Sequence, residues 1–217
     1  NVNCDIRDYR ALTNAFASGQ DYVFHLAAEA RIQPAIKNPI EAVSINSLGT
    51  CTVLQCAREA KVKRLIYSST SSSYGMNPYP NVETQPDDCL NPYSATKIAG
   101  EKLCKMYTNL YGLETVVLRY FNVFGQRCPT RGQYAPVIGI FRRQLASGEP
   151  LTIVGDGSQR RDFVHVNDVA RANYLASILP LQGHEGEVFN VGSGKNYSVQ
   201  EIADVISDNQ VYLPKRE

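Results

Sequence analysis

Arg64-Leu65-Ile66-Tyr67-Ser68-Ser69-Thr70-Ser71-Ser72-Ser73-Tyr74-Gly75 changes character partway along its length. The first four residues read as a buried parallel strand, and a cluster of hydroxyls comes directly after them. In an open α/β sheet, ligands bind at the carboxyl ends of the strands, where this cluster falls. A solvated serine loop would not need to follow an apolar strand directly, nor to come about 20 residues before a Tyr/Lys pair within one βα unit.

Two more runs have the strand texture: Tyr22-Val23-Phe24-His25-Leu26 and Thr115-Val116-Val117-Leu118-Arg119-Tyr120. Between the strands lie longer amphipathic stretches. From Pro39 to Ala60, apolar residues recur at Ile40, Val43, Ile45, Leu48, Val53, Leu54 and Ala57. From Pro92 to Tyr111 they recur at Ile98, Ala99, Leu103, Met106 and Leu110, again with a helical period. Asn91-Pro92 is a helix-start signal, and Gly112 stands where such a helix stops. Strand and helix alternating with short connections predicts a Rossmann-type doubly wound parallel sheet with helices on both faces.

Beyond about residue 125 glycine and proline punctuate the chain, at Cys128-Pro129-Thr130-Arg131-Gly132, Gly148-Glu149-Pro150 and Gly155-Asp156-Gly157-Ser158. This texture predicts a smaller α/β substrate lobe over residues 126–217, with some segments returning to a nucleotide-binding domain over residues 1–125. A dinucleotide fold opens with a strand, a glycine-rich turn and a helix. Here the only glycines before residue 75 are Gly19 and Gly49. The first strands of the sheet are therefore expected to be missing, and a fragment with weak cofactor affinity is one reading of the chain. The later Val191-Gly192-Ser193-Gly194-Lys195 is read as a turn rather than a phosphate loop.

Composition narrows the function classes. With 217 residues, 43% hydrophobic, 20% charged and a formal net charge of +1, the chain has no basic excess for nucleic acid or membrane surfaces. No apolar run approaches the ~18–20 residues of a membrane span, and no signal peptide is visible. The six cysteines form no CxxC pair and the three histidines no metal-binding spacing. Free thiols, a cytoplasmic location and no metal site are the expectations.

Tyr93-Ser94-Ala95-Thr96-Lys97 puts a phenol and an ammonium at i and i+4, on one helix face. A phenol with an ordinary pKa near ~10 is a poor base at neutral pH, and a nearby ammonium favours its phenolate. Such a pair can take a proton from a substrate hydroxyl and return it.

Taken in order, the motifs resemble one family. They are Asp5-Ile6-Arg7-Asp8, His25-Leu26-Ala27-Ala28, Asn46 with Gly49-Thr50, Ser68-Ser69-Thr70, and Tyr93/Lys97. Then come Arg119-Tyr120-Phe121-Asn122-Val123-Phe124-Gly125, Gly155-Asp156-Gly157, Arg161-Asp162-Phe163-Val164-His165-Val166-Asn167-Asp168-Val169, and Phe189-Asn190-Val191-Gly192. Essentially the whole chain resembles the extended short-chain dehydrogenase/reductases. Within them it resembles the NAD-dependent nucleotide-sugar epimerases and dehydratases, with its nearest likeness to UDP-glucose and UDP-N-acetylglucosamine 4-epimerases.

The resemblance implies roles. Thr70, Tyr93 and Lys97 match the catalytic hydroxyl, tyrosine and lysine. Asp5, Ile6, Leu26, Ala27, Ala28, Asn46, Ser68, Ser69 and Tyr120, with Tyr93 and Lys97, match positions that line NAD. Ser71, Ser72, Asn122, Val137, Thr152 and Arg161 match positions that hold the sugar nucleotide. A guanidinium suits phosphate oxygens, so Arg161 is chemically apt; a surface ion pair is the alternative for it. The implied reaction is C4 epimerisation of a UDP-hexose through a 4-keto sugar, with NAD regenerated.

A 4,6-dehydratase needs an acid/base pair after the catalytic threonine, where Ser71-Ser72 stand; UDP-glucuronate decarboxylation stays open. Thr130 to Tyr134 is expected to close over the sugar. Gln133-Tyr134-Ala135-Pro136-Val137 and the serine-rich loop lean toward N-acetylated hexosamines. The family likeness further implies a homodimer, with the helices over Pro39–Ala60 and Pro92–Tyr111 forming a four-helix bundle with their copies.

Overall fold

A computed structural model describes residues 2–131 and 135–214; the expectations that fall on Gln133 and Tyr134 lie outside the described residues. In chain order the elements are α1 (Tyr9–Phe16), β1 (Tyr22–His25), α2 (Ile32–Lys37), α3 (Pro39–Val43), a π-helical turn (Ser44–Leu48), α4 (Gly49–Glu59) and β2 (Arg64–Thr70). A 3₁₀ turn (Ser71–Tyr74), α5 (Pro92–Tyr111), β3 (Glu114–Tyr120), β4 (Asn122–Phe124), α6 (Val137–Ala146), β5 (Leu151–Val154) and β6 (Arg160–Arg161) follow. The chain continues through β7 (Phe163–His165), α7 (Val166–Ile178), β8 (Val188–Val191), β9 (Tyr197–Ser198), α8 (Val199–Ile206) and β10 (Gln210–Leu213). Two compact units result: Asn1–Tyr120 with Arg171–Val191, and Phe121–Ala170 with Gly192–Glu217.

The first unit is built on a parallel sheet in the order β1-β2-β3-β8. Alternate residues of the central strands point to opposite faces, and both faces are covered. Leu65, Tyr67 and Val117 join Leu12, Val53, Leu54, Cys104 and Tyr107, which come from the helices on one side. Ile66, Val116 and Leu118 pack against Ala172 and Ala176 of α7 on the other. Burial on both faces is why these strands read as continuous apolar runs. The doubly wound α/β arrangement expected from the sequence is what the chain adopts.

Three boundaries differ from the sequence reading. β2 runs on to Thr70, with all seven of its residues buried. Pairing continues there through Ser69↔Arg119 and Thr70↔Tyr120, so Ser68, Ser69 and Thr70 are strand residues. The stretch Pro39–Ala60 is not one regular helix. It passes through the π turn at Ser44–Leu48, within which Asn46 is buried. Finally, α2 forms where no helix was anticipated, with Pro34 in its first turn.

α5 occupies the span that its sequence predicts. Asn91 Oδ1 accepts a hydrogen bond from Ser94 N at 3.0 Å and Pro92 opens the helix. Gly112 closes it in the left-handed region at φ 70°, its N–H donating to the Thr108 carbonyl.

In the second unit, Phe141 of α6, Leu151 and Ile153 of β5, and Val199 and Ala203 of α8 form a separate core. α8 starts with a capping box between Ser198 and Glu201. The turn at Gly192–Gly194 wraps the carboxylate of Asp162, which accepts from Ser193 N at 2.8 Å, Ser193 Oγ at 2.8 Å and Gly194 N at 2.9 Å. A Cβ on Gly192 would lie 2.7 Å from Asp162 Oδ2, so the wrap requires glycine there. Among the described residues, no helix is long and apolar enough to cross a membrane.

Candidate active site

The carboxyl end of β2 and the first turns of α5 bring the proposed catalytic residues together. Thr70 is buried and its Oγ1 accepts from Ser72 N at 3.1 Å, capping the 3₁₀ turn that carries Ser71 and Ser72. Tyr93 is the second residue of α5. Burial pushes the Tyr93 phenol up, and the nearby Thr70 hydroxyl opposes that shift. The direction is a correction to the expected lowering by Lys97: loss of water around the phenolate outweighs the stabilisation it receives.

Lys97, one turn further along α5, is 3% exposed. Its Nζ stands 4.1 Å from the centroid of the Tyr67 ring. Burial lowers its pKa to about 8, and the Glu101 carboxylate acts the other way. Tyr67 is wholly buried in the middle of β2, and its hydroxyl donates to the Lys97 carbonyl at 3.4 Å. Gly100 allows this approach: a Cβ there would lie 2.1 Å from Tyr67 Oη.

A second layer lies beneath. Glu101, two turns along α5 from Tyr93, accepts from Ser69 Oγ and from Arg119 at Nε–Oε1 2.9 Å and Nη2–Oε2 2.8 Å. Arg119 also pairs with Asp87 at 3.0 Å. Ser68 Oγ meets Tyr120 Oη at 3.1 Å, and Asn173 Nδ2 donates to that same Oη at 2.7 Å. Glu101, Asn173 and Tyr67 were not singled out as site residues by the sequence reading. Glu101 did carry a signal, since it continues the Tyr93, Lys97 spacing by four residues. Asn173 carried none, because it arrives from a distant helix.

The remaining proposed cofactor positions lie in the same unit. Asp5 is exposed and held by Arg7, with backbone N at 2.8 Å and Nη2 at 2.6 Å. Those hydrogen bonds lower its carboxyl to about 2. Ile6 lies over Gly49, where a Cβ would come within 2.6 Å of Ile6 Cδ1. Leu26 is 61% exposed just past β1, followed by Ala27 and Ala28. The Asn46 amide is engaged within the fold. Its Nδ2 donates to the Glu29 carbonyl at 3.0 Å and to Thr96 Oγ1 at 2.9 Å, and its Oδ1 accepts from Glu29 N at 2.8 Å.

Of the proposed sugar-nucleotide residues in the second unit, Asn122, Val137 and Arg161 line one cavity of about 230 Å³, together with Phe163 and Val199. Asn122 is fixed by Nδ2 donating to the Asp162 carbonyl at 2.9 Å. Arg161 is exposed, and its Nη1 donates to the Arg160 carbonyl at 2.7 Å. Thr152 is not among the residues lining this cavity; its Oγ1 accepts from Gln144 Nε2 at 2.9 Å.

The profile of the NAD dependent epimerase/dehydratase family matches residues 1–192. A UDP-glucose 4-epimerase of Mycolicibacterium smegmatis is 36% identical over 209 residues, covering 95% of this chain and 65% of that protein. A UDP-N-acetyl-alpha-D-glucosaminuronate decarboxylase of Bacillus cytotoxicus is 37% identical over 194 residues, covering 86% of this chain and 58% of that protein. The crystal structure of UDP-glucose 4-epimerase with UDP-glucose from Thermotoga maritima superposes with a TM-score of 0.90 at 33% identity, covering 99% of this chain and 71% of that one. The chain spans less than two thirds of the length of these curated relatives. It belongs to the NAD-dependent epimerase/dehydratase family.

Proposed function

We propose that this chain carries the catalytic groups of a UDP-hexose 4-epimerase. The observation that carries the reading is the buried Thr70 at the carboxyl end of the central strand, with Tyr93 and, one turn further along α5, Lys97 on the helix that packs there. Serine, not a carboxylate, occupies the two positions after Thr70. That favours moving one proton at C4 over the second proton transfer, at C5, that dehydration needs. Decarboxylation of a UDP-glucuronate is the second reading, favoured by the Bacillus cytotoxicus relative.

The residues present fit an NAD. Exposed Leu26 with the small Ala27 and Ala28 offers an apolar floor at the end of β1, and the Lys97 ammonium supplies hydroxyl-directed donors. Leu26, Ala27, Ala28, Ser68, Ser69, Tyr120 and Lys97 are the proposed holding set, with Asp5 and Ile6 at the adenine end. Asn46 would act by fixing the loop at Glu29. Bound NAD supplies a hydride acceptor, a hydride donor and positive charge.

The protein's own task is proton handling. Tyr93 Oη takes the proton of the sugar 4-hydroxyl and returns it, while Thr70 Oγ1 holds that oxygen in line. Because burial raises the Tyr93 phenol, a positive charge is needed to form the phenolate; Lys97, one turn along α5, is proposed for that role. Asn122, Val137 and Arg161 are proposed to hold the nucleotide diphosphate, Ser71 and Ser72 to touch the sugar. A homodimer through α3, α4 and α5 is also proposed, supported by Ile40 at 82% and Leu110 at 68% exposure on those helices.

The test is to incubate the chain and NAD separately with UDP-glucose, UDP-N-acetylglucosamine and UDP-glucuronate, and to follow the anomeric protons by NMR. Expected is the C4 epimer of at least one sugar with no net NADH. A 4-keto-6-deoxy product or released carbon dioxide would replace the assignment.

A further inference from the structure

Lys97 is an ammonium in an almost wholly buried place, and the group it faces is an aromatic ring. Its Nζ lies 4.1 Å from the Tyr67 centroid, within the range at which a ring's negative face attracts a cation. Other groups around it give limited help. His25 contacts the Tyr67 ring with centroids 5.6 Å apart, and burial depresses its pKa to about 3, so it is neutral at physiological pH. Cys104 of α5 is buried, and its thiol is pushed up and stays protonated. Glu101 of α5 is bound to Arg119 and Ser69. Tyr93 of α5 is raised by burial and so is a neutral phenol.

Tyr67 itself is held from several sides. Its hydroxyl donates to the Lys97 carbonyl at 3.4 Å, and the missing side chain of Gly100 makes room for that end of the ring. The ring is thus seated by the same helix whose lysine it faces.

We propose that Tyr67 is a positioning residue for Lys97, its ring face keeping the ammonium charged and in place inside the protein. This rests on the epimerase reading only for its consequence, which is that the charge stays available to Tyr93. The seating of Lys97 is measurable without turnover.

The experiment is NMR titration of ¹³Cε-lysine-labelled protein, comparing wild type with Tyr67→Phe and Tyr67→Leu. Phenylalanine keeps the ring face, and its Lys97 resonance is expected to titrate within about 0.3 units of wild type. Leucine removes the face, and the Lys97 midpoint is expected to fall by about one unit, equivalent to about 1.4 kcal/mol.

An unchanged midpoint in a folded Tyr67→Leu protein would overturn the proposal. So would a Phe variant that shifts as far as the Leu variant. Should the leucine variant not fold, phenylalanines carrying one to three ring fluorines at position 67 keep the shape and weaken the negative face. The midpoint must then fall with each fluorine, and a flat series refutes the role. A protein with no epimerase activity but the expected Lys97 titrations would sink the functional reading and leave this inference standing.

Discussion

Glu101 and Arg119 form a two-pronged ion pair inside the first unit, at 2.9 Å and 2.8 Å, with both side chains less than 5% exposed. It ties α5 to β3, and through Ser69 the same carboxylate holds β2. Breaking one partner leaves the other charge buried and uncompensated. Glu101→Ala is expected to lose about 3–5 kcal/mol in urea unfolding, and the paired replacement Glu101→Leu with Arg119→Met much less. A paired loss equal to the sum of the Glu101→Leu and Arg119→Met single losses would show that the charges contribute independently.

The Gly100 site tests packing against propensity. Alanine gains up to about 1 kcal/mol over glycine within a helix. Here its Cβ would meet Tyr67 Oη at 2.1 Å and Cζ at 2.5 Å, on a side chain with no room to retreat. Gly100→Ala is therefore expected to destabilise by about 1–3 kcal/mol net, and Tyr67→Phe should recover part of that loss in the double variant. Thermal melts of the two singles and the double decide it.

His25 makes stability depend on pH. Its Nε2 meets Thr50 Oγ1 at 2.9 Å in a buried site, and burial lowers its pKa from 6.5 to about 3. A depressed folded-state pKa contributes stability that is fully present above 6.5 and is lost as pH falls from there toward 3, because the unfolded chain takes up the proton first. From pH 7 to pH 5, wild type is expected to lose about 2 kcal/mol more than His25→Gln. Parallel urea curves for the two proteins at both pH values measure the difference.

Asn91 stands two residues before Tyr93 and satisfies Ser94 N. Asn91→Ala is expected to cost about 1 kcal/mol of stability. If the first turn of α5 sets the position of Tyr93 beside Thr70, kcat should fall more than KM rises. Asn91→Asp, which keeps the acceptor, should restore both. Steady-state kinetics on the three proteins separate positioning from general loosening.

Much of this molecule was legible from side-chain pattern. β2, β3 and α5 announce themselves because burial on two faces, a cap and a stop are local properties. Tyr93 and Lys97 were visible because helical spacing alone puts them together. The features that escaped depend on long-range geometry. Asn173 reaches Tyr120 from more than fifty positions along the chain, and its residue type offers no clue. The sign of the Tyr93 shift escaped too, because spacing reveals a lysine nearby but says nothing of how much water is lost. The irregularity at Ser44–Leu48 is invisible to a period count that averages over the whole stretch from Pro39 to Ala60.

That wide turn has a consequence for how the chain tolerates change. A π turn carries one residue more than a regular α turn, and each residue rotates a helix by about 100°. The surplus residue is taken up inside that one widened turn, so α3 and α4 keep the phase they would have in a continuous helix. Shortening the segment by a single residue, at Ser47 for example, would close the turn to an ordinary α turn and leave Ala42 facing inward. What it would disturb is local: the placement of Asn46 and its link to Glu29 and Thr96. A one-residue deletion, ruinous in the regular turns of α5, would here be absorbed by the helix and felt at the Glu29 loop.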